Sequence, residues 1–250
     1  MNDLNFGDEQ DVIFTSYFSS RNNPQPGPQG ELLRAPRNDI NYIYPWYATV
    51  CHLQLNGVVI HDGLSDSFIK RYSTPRIQFH YHKLGKMSLN DERYHALNSI
   101  LPGHRLRKVL MSDASDLIFK RNPFEFFTES NLIYTGTDDP ARPRIRDNPW
   151  CINKTHELMR AGNGLLEFDN SFFDFNYVNA GVIGGSYQIV KHFIESLAIV
   201  LEFLSTSDNY NMMAINYLLW KYRIPHFKGK PLTSPFKKYE LDGDYFIVHK

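Results

Sequence analysis

Short apolar runs rich in β-branched residues recur along this chain with helix-period stretches between them, and this alternation limits the possible folds more than any other feature. Val12-Ile13-Phe14, Val58-Val59-Ile60, Val109-Leu110-Met111, Leu132-Ile133-Tyr134, Val178 to Ile183 and Tyr245 to Val248 read as strands. Ile77, Phe79 and Tyr81 alternate with polar residues, as a half-buried strand does. Ser88 to Asp91 resembles a capping box that opens a helix carrying Tyr94, Leu97 and Ile100 on one side. Ile189, Val190, Phe193, Ile194, Leu197, Val200, Leu201 and Leu204 mark a long amphipathic helix, and Met213, Ala214, Tyr217 and Leu218 mark another. Strands alternating with helices predict an α/β domain with a central, mostly parallel sheet flanked by helices. A chain of 250 residues can bury the core of one such domain. Asn22 to Gly30, with three prolines and two glycines, reads as a surface loop.

Composition narrows the function classes. Lys plus Arg and Asp plus Glu are both 27, so no net field favours nucleic acid or an anionic membrane surface. Aromatic residues make up 14%, which fits a packed core with ring-lined clefts and argues against disorder. Cys51 and Cys151 stand far apart, as reduced, buried thiols do more often than disulfide partners. No stretch approaches the ~20 apolar residues of a membrane span, and residues 1–11 hold no apolar run of the signal-peptide kind. A soluble, cytoplasmic protein is the expectation; a catalytic domain of a longer, membrane-anchored parent would read the same way.

In parallel sheets ligands sit beyond the carboxyl ends of the strands, so polar residues that follow apolar runs are the candidates for a site. The most informative stretch is Val109-Leu-Met-Ser-Asp113-Ala-Ser-Asp116. Two carboxylates appear three residues apart where a buried strand ends. Mg²⁺ and Mn²⁺ take hard oxygen ligands, commonly one or two carboxylates completed by substrate phosphates and water. On spacing alone the same pair also serves as turn formers or caps.

Four segments carry a resemblance. Asp116-Leu-Ile-Phe-Lys-Arg-Asn-Pro-Phe124 resembles the segment following the metal-binding Asp-x-Asp motif of GT-A glycosyltransferases. Tyr177-Val-Asn-Ala-Gly-Val-Ile-Gly-Gly185 is similar to the strand these enzymes place beside donor sugar and acceptor. Asn211-Met-Met-Ala-Ile-Asn216 is similar to the helix that follows it, and Tyr245-Phe-Ile-Val-His249 to a strand ending in a metal-binding His. Order and approximate spacing match the glycogenin-like and lipopolysaccharide galactosyltransferase-like members. The acidic motif departs from the family in being Asp-x-x-Asp, and Asn211 stands where the family often has Asp.

The resemblance implies a single GT-A (Rossmann-like) domain over residues 1–250, its nucleotide-binding half at about 11–125 and its acceptor-side half at about 126–250. It implies a metal-dependent glycosyltransferase. The donor would be a nucleotide-diphosphate sugar, UDP favoured, the acceptor a carbohydrate or other hydroxyl compound, and the cofactor Mn²⁺ or Mg²⁺. Asp113, Asp116 and His249 would hold the metal; His226 competes with His249 as a ligand. An imidazole in the set suits Mn²⁺ better than Mg²⁺. Thr15, Ser16 and Tyr17 would receive the nucleotide, unless Tyr17 packs into the core. Arg93, Asp113, Lys228 and Lys230 would serve the donor, with a helix-surface ion pair to Asp91 or Glu92 as the alternative for Arg93.

Asn179 is expected to touch donor sugar or acceptor, and Gly184 and Gly185 to form a tight turn. Asp169 is expected in a catalytic role, with Asp174, Asp138 and Asp139 as further carboxylates near the cleft. An inverting transfer needs a general base, whereas a retaining one can use the leaving diphosphate, and both remain open. His61 and Asp62 read mainly as loop or cap residues, and His80 and His82 as packing or solvent-facing. Two other functions fit the same pattern. One is a nucleotidyltransferase, against which counts the absence of glycine from Phe14-Thr-Ser-Tyr-Phe-Ser19. The other is a non-catalytic carbohydrate- or nucleotide-binding module.

Overall fold

The computed structural model describes every residue except 1–3, 5, 23–33, 205–207, 239 and 250. The loop expected at Asn22 to Gly30 therefore lies, Asn22 apart, outside the described residues. The chain runs through strand β1 (Gln10–Tyr17), helix α1 (Tyr44–His52), β2 (Asn56–His61), α2 (Asp66–Tyr72), β3 (Ile77–Tyr81), α3 (Leu89–Ile100) and β4 (Leu106–Ser112). It continues through β5 (Leu117–Phe119), β6 (Ile133–Gly136), α4 (Pro149–Ala161), α5 (Asn170–Phe173), β7 (Asn179–Ser186), α6 (Tyr187–Leu204), α7 (Asn211–Lys221), β8 (His226–Lys228) and β9 (Ile247–His249). Every expected strand and helix is present. α1, α2, α4, α5, β5 and β8 are additional.

Seven strands form one sheet in the order β3-β2-β1-β4-β7-β6-β8. β1 pairs in parallel with β2 and β4, β2 with β3, and β6 with β8; β7 runs antiparallel to both β4 and β6. The fold is α/β and Rossmann-like, with a mostly parallel central sheet flanked by helices. The sheet crosses from the first half of the sequence into the second between β4 and β7. β5 and β9 make a separate antiparallel pair in which Leu117 lies opposite His249.

Side chains alternate across β1. Val12 and Phe14 join a core with Tyr94 and Leu97 of α3, Leu158 of α4, Val190 and Ile194 of α6 and Met213 of α7. Ile13 faces the other way, toward Trp46 and Val50 of α1, Phe68 of α2, Phe119 of β5 and Ile247 of β9. The expected capping box is half made. Ser88 Oγ accepts from the Asp91 N–H at 3.2 Å, but the Asp91 carboxylate turns to the start of α7 and accepts from Tyr210 N (3.0 Å) and Asn211 N (2.7 Å). Burial raises the Asp91 pKa to about 6 against these hydrogen bonds. Asn216 of α7 then clamps the approach to β7. Its Oδ1 accepts from Val178 N at 2.7 Å and its Nδ2 donates to Val178 O at 3.0 Å.

Gly184 and Gly185 lie inside β7 rather than in a tight turn. A Cβ on Gly184 would meet Phe127 at 2.7 Å, and Gly185 has φ +154. Both cysteines are free thiols, Cys151 buried and Cys51 half-buried. Among the described residues no helix is long and apolar enough to cross a membrane.

His61 and Asp62, at the end of β2, are structural. Asp62 accepts from Ser19 N and Ser20 N, both at 2.8 Å. His61 Nδ1 accepts from Gly63 N at 3.3 Å and Leu64 N at 3.2 Å, which requires a neutral ring, and burial lowers its pKa from 6.5 to about 4. A depressed folded-state pKa contributes stability that is present above 6.5 and lost as pH falls through 4. Thermal melts across that window should show a fall in Tm for the wild type that is smaller in His61→Asn. Equal slopes for the two proteins would show that His61 is not the titrating group.

Candidate functional site

β4 points its carboxyl end at the same sheet edge where the reversed strand β7 begins. Asp113, one residue past β4, therefore lies beside Asn179-Ala180-Gly181, and its N–H donates to the Gly181 carbonyl at 2.9 Å. Asp116 precedes β5, and the pairing of β5 with β9 carries His249 to it. The ligand atoms of Asp113, Asp116 and His249 all lie within 4.8 Å of one another. His249 Nε2 is 3.5 Å from Asp113 Oδ2 and 3.7 Å from Asp116 Oδ2.

Gly181 makes this convergence possible. A Cβ there would stand 2.3 Å from His249 Cε1 and 2.6 Å from Asp113 Oδ2. Its lack of a side chain gives room to the cluster itself. His249 is fully buried, and its backbone is pinned by Ser234, whose Oγ accepts from His249 N at 2.9 Å. Among the described residues neither ring nitrogen has a hydrogen-bond partner, and Asp116 Oδ1 also lacks one. Buried polar atoms are seldom left so, which points to a group bound there. A small divalent cation about 2.1 Å from each ligand holds the ligand atoms roughly 3–4 Å apart, and the spacings match. The donor set, two carboxylates and one imidazole, fits a divalent cation.

Arg93 of α3 lines the cleft, paired with neither Asp91 nor Glu92. Its Nη1 bonds Asp113 Oδ1, and its Nη2 donates to Ala180 O at 3.1 Å. One oxygen of Asp113 is thereby fixed while the other faces His249. Tyr94 OH donates to the same Ala180 carbonyl at 2.6 Å, so α3 holds the start of β7 at two points. Glu92 is engaged elsewhere, accepting from Gly85 N at 2.7 Å and lying 3.3 Å from His82 Nε2. Asn179 is shared: its Oδ1 accepts from Gly181 N at 2.7 Å, and its Nδ2 donates to Asp138 at 3.3 Å.

A cleft of about 640 Å³ opens over the cluster. Ser16, Arg93, Asp113, Asp116 and Asn179, all anticipated from the sequence, line it. Other predicted residues lie elsewhere. Thr15 is buried and donates to Ser112 O at 3.0 Å. Tyr17 is buried, bonds the Pro36 carbonyl and accepts from Asp39 N at 3.0 Å. Tyr42, its ring 5.0 Å from that of Tyr17, reaches the cleft instead. Burial, reinforced by the Asp116 carboxylate, raises the Tyr42 pKa.

Lys228 and Lys230 line a neighbouring cavity of about 480 Å³ that shares only Asp138 and Asp139 with the cleft. Lys228 donates to Tyr177 O at 2.9 Å, and burial lowers its pKa. Asp169 caps α5, accepting from Ser171 N at 2.7 Å, and faces a third cavity together with His226. Neither reaches the cluster of Asp113, Asp116 and His249. Asp174 is paired with Arg146 at 2.6 Å.

Several lining residues were not anticipated. Lys237 and Lys238 bring two exposed cations to the rim, and Lys238 lies 3.7 Å from Asp139. Asn209 Oδ1 and Asn211 Nδ2 belong to lining residues and have no hydrogen-bond partner among the described residues. Trp150 adds an exposed indole. No protein-family model matches this chain, and no curated protein matches it significantly.

If Gly181 provides the room for the cluster, Gly181→Ala should keep the far-UV circular dichroism of the wild type while weakening Mn²⁺ binding at least about tenfold. Isothermal titration calorimetry reads this directly; wild-type affinity in a folded Gly181→Ala protein would contradict it.

Proposed function

We propose that this chain is a metal-dependent glycosyltransferase of the GT-A type, moving a sugar from a nucleotide-diphosphate donor, UDP-sugar favoured, to a hydroxyl acceptor. The observation that carries the reading is the buried His249 imidazole, without a hydrogen-bond partner among the described residues, converging with Asp113 and Asp116 beside a cleft that the two aspartates line. Asp113, Asp116 and His249 would hold Mn²⁺, or Mg²⁺ less well. Such an ion, when bound, neutralises charge on a diphosphate leaving group.

The chain's own residues supply the rest. Lys237 and Lys238 add positive charge to the cleft lining, which suits a diphosphate. Arg93 orients Asp113 and adds its charge to the same region. Ser16 and Tyr42, at the carboxyl end of β1 and beside it, suit the nucleoside. The unpartnered amide atoms of Asn209 and Asn211 suit sugar or ribose hydroxyls, which donate and accept. Catalysis on such a site would rest on positioning and on electrostatic stabilisation of the departing diphosphate.

Thermal-shift titration with UDP and with UDP-sugars, each with and without Mn²⁺, tests the reading. Wild-type protein should be stabilised by nucleotide only when Mn²⁺ is present, and Asp116→Ala should lose that shift while keeping the melting temperature of the unliganded protein. A purely structural Asp116 would instead lower the unliganded melting temperature. Release of free sugar or its transfer from the bound donor separates an enzyme from a binding module.

A further inference from the structure

Besides Asp113, Asp116 and Arg93, the cleft is lined by Asp138, Asn148 and Trp150. Asn179 lies between Gly181 and Asp138, accepting from the first through Oδ1 and donating to the second through Nδ2. Trp150 stands in the first turn of α4 with its backbone N–H capped by Asn148 Oδ1 at 3.0 Å. Asn148 is itself fixed, since its Nδ2 donates to Tyr177 OH at 2.9 Å. The residue is 42% exposed, whereas Trp46 is fully buried and Trp220 donates its Nε1–H to Ser171 Oγ at 3.0 Å. The Trp150 ring is therefore open to a ligand in the cleft. Asp138 accepts one hydrogen bond, from Asn179, and its carboxylate makes no other among the described residues.

An exposed indole and an acceptor-only carboxylate that line one cleft match a neutral sugar ring. The C–H face of a pyranose is apolar and lies flat on an aromatic ring, while its hydroxyls donate to carboxylate oxygens. The Asp138 carboxylate disfavours an anionic ligand beside it, whereas Asp139 is paired with Lys238 at 3.7 Å and Arg142 at 3.9 Å.

We infer that Trp150 and Asp138 form the acceptor subsite, and that the acceptor is a saccharide presenting a neutral pyranose ring. This rests on the glycosyltransferase reading of the metal end. Trp150 supplies the platform for the ring. Asp138, held by Asn179, accepts a hydrogen bond from a ring hydroxyl and sets which hydroxyl points toward the metal end. Both are binding residues that orient the acceptor.

The test is saturation-transfer NMR on the full chain loaded with UDP and Mn²⁺, using the methyl pyranosides of glucose, galactose, mannose, xylose and N-acetylglucosamine. At least one glycoside should bind, with the strongest transfer at its ring C–H protons. Trp150→Ala should weaken that binding about tenfold, Trp150→Phe less, and Asp138→Asn should also weaken it, while UDP–Mn²⁺ affinity stays within about twofold of wild type in all three. Glycoside binding unchanged in Trp150→Ala, or no glycoside bound by the loaded wild type, would overturn the subsite. A wild type that takes up no UDP with Mn²⁺ would overturn the metal-end reading instead. The same panel on the unloaded chain then decides the subsite by the same Trp150→Ala comparison.

Discussion

At Gly181 the backbone of β7 comes so close to Asp113 and His249 that only a hydrogen atom fits in the space between them. Three parts of the chain meet at that point: the end of β4, the start of β7 and the end of β9. Their meeting needs β7 to run against its neighbours, because only a reversed strand begins where β4 ends. It also needs β9 to pair with β5, which places His249 opposite Leu117 and next to Asp116. The surrounding structure holds this arrangement in place. Arg93 and Tyr94 bind Ala180, Asn216 binds Val178, and Ser234 binds the backbone of His249. Asp91 caps the helix that carries Asn216, so α3 acts on β7 both directly and through α7.

The electrostatic logic of the site follows from that packing. Two carboxylates and a buried imidazole lie close together with fewer hydrogen bonds than they have polar atoms. Leaving such groups unpaired in a core costs on the order of 1–3 kcal/mol each. A cation relieves several of them at once. Arg93 is placed to steady Asp113 without occupying the oxygen that faces His249, so the cluster stays open to an ion.

Much of this was legible in the sequence, for a definite reason. Asp113 and His249 each follow an apolar run, and polar residues at strand carboxyl ends are where an α/β sheet presents its chemistry. Ser16 was found by the same reasoning, whereas Asn179, the first residue of β7, was found through the resemblance of its Asn-Ala-Gly strand. It failed where side-chain direction or tertiary placement decided the outcome. Thr15 and Tyr17 flank Ser16 on β1 and turn into the interior, where Tyr17 meets the backbone of Pro36 and Asp39. Asp169 precedes a four-residue helix and spends its carboxylate on that helix. Lys228 ends β8 at the far edge of the sheet, where it meets a different cavity. Trp150, Tyr42, Lys237 and Lys238 belong to loops and a helix start, and no periodicity announces where these will lie. α1 was missed because its segment, Tyr-Pro-Trp-Tyr-Ala-Thr-Val-Cys-His, buries only Trp46 and Val50 and shows little amphipathic pattern.

The proposed function requires that Asp113, Asp116 and His249 coordinate one divalent cation. Anomalous diffraction at the manganese absorption edge, from crystals grown with Mn²⁺ and UDP, measures this directly. One strong anomalous peak is expected within coordinating distance of His249 Nε2 and of a carboxylate oxygen on each aspartate, with the nucleotide phosphates adjoining it. A cleft holding UDP with no manganese at these three residues, or manganese bound at another place on the chain, would contradict it.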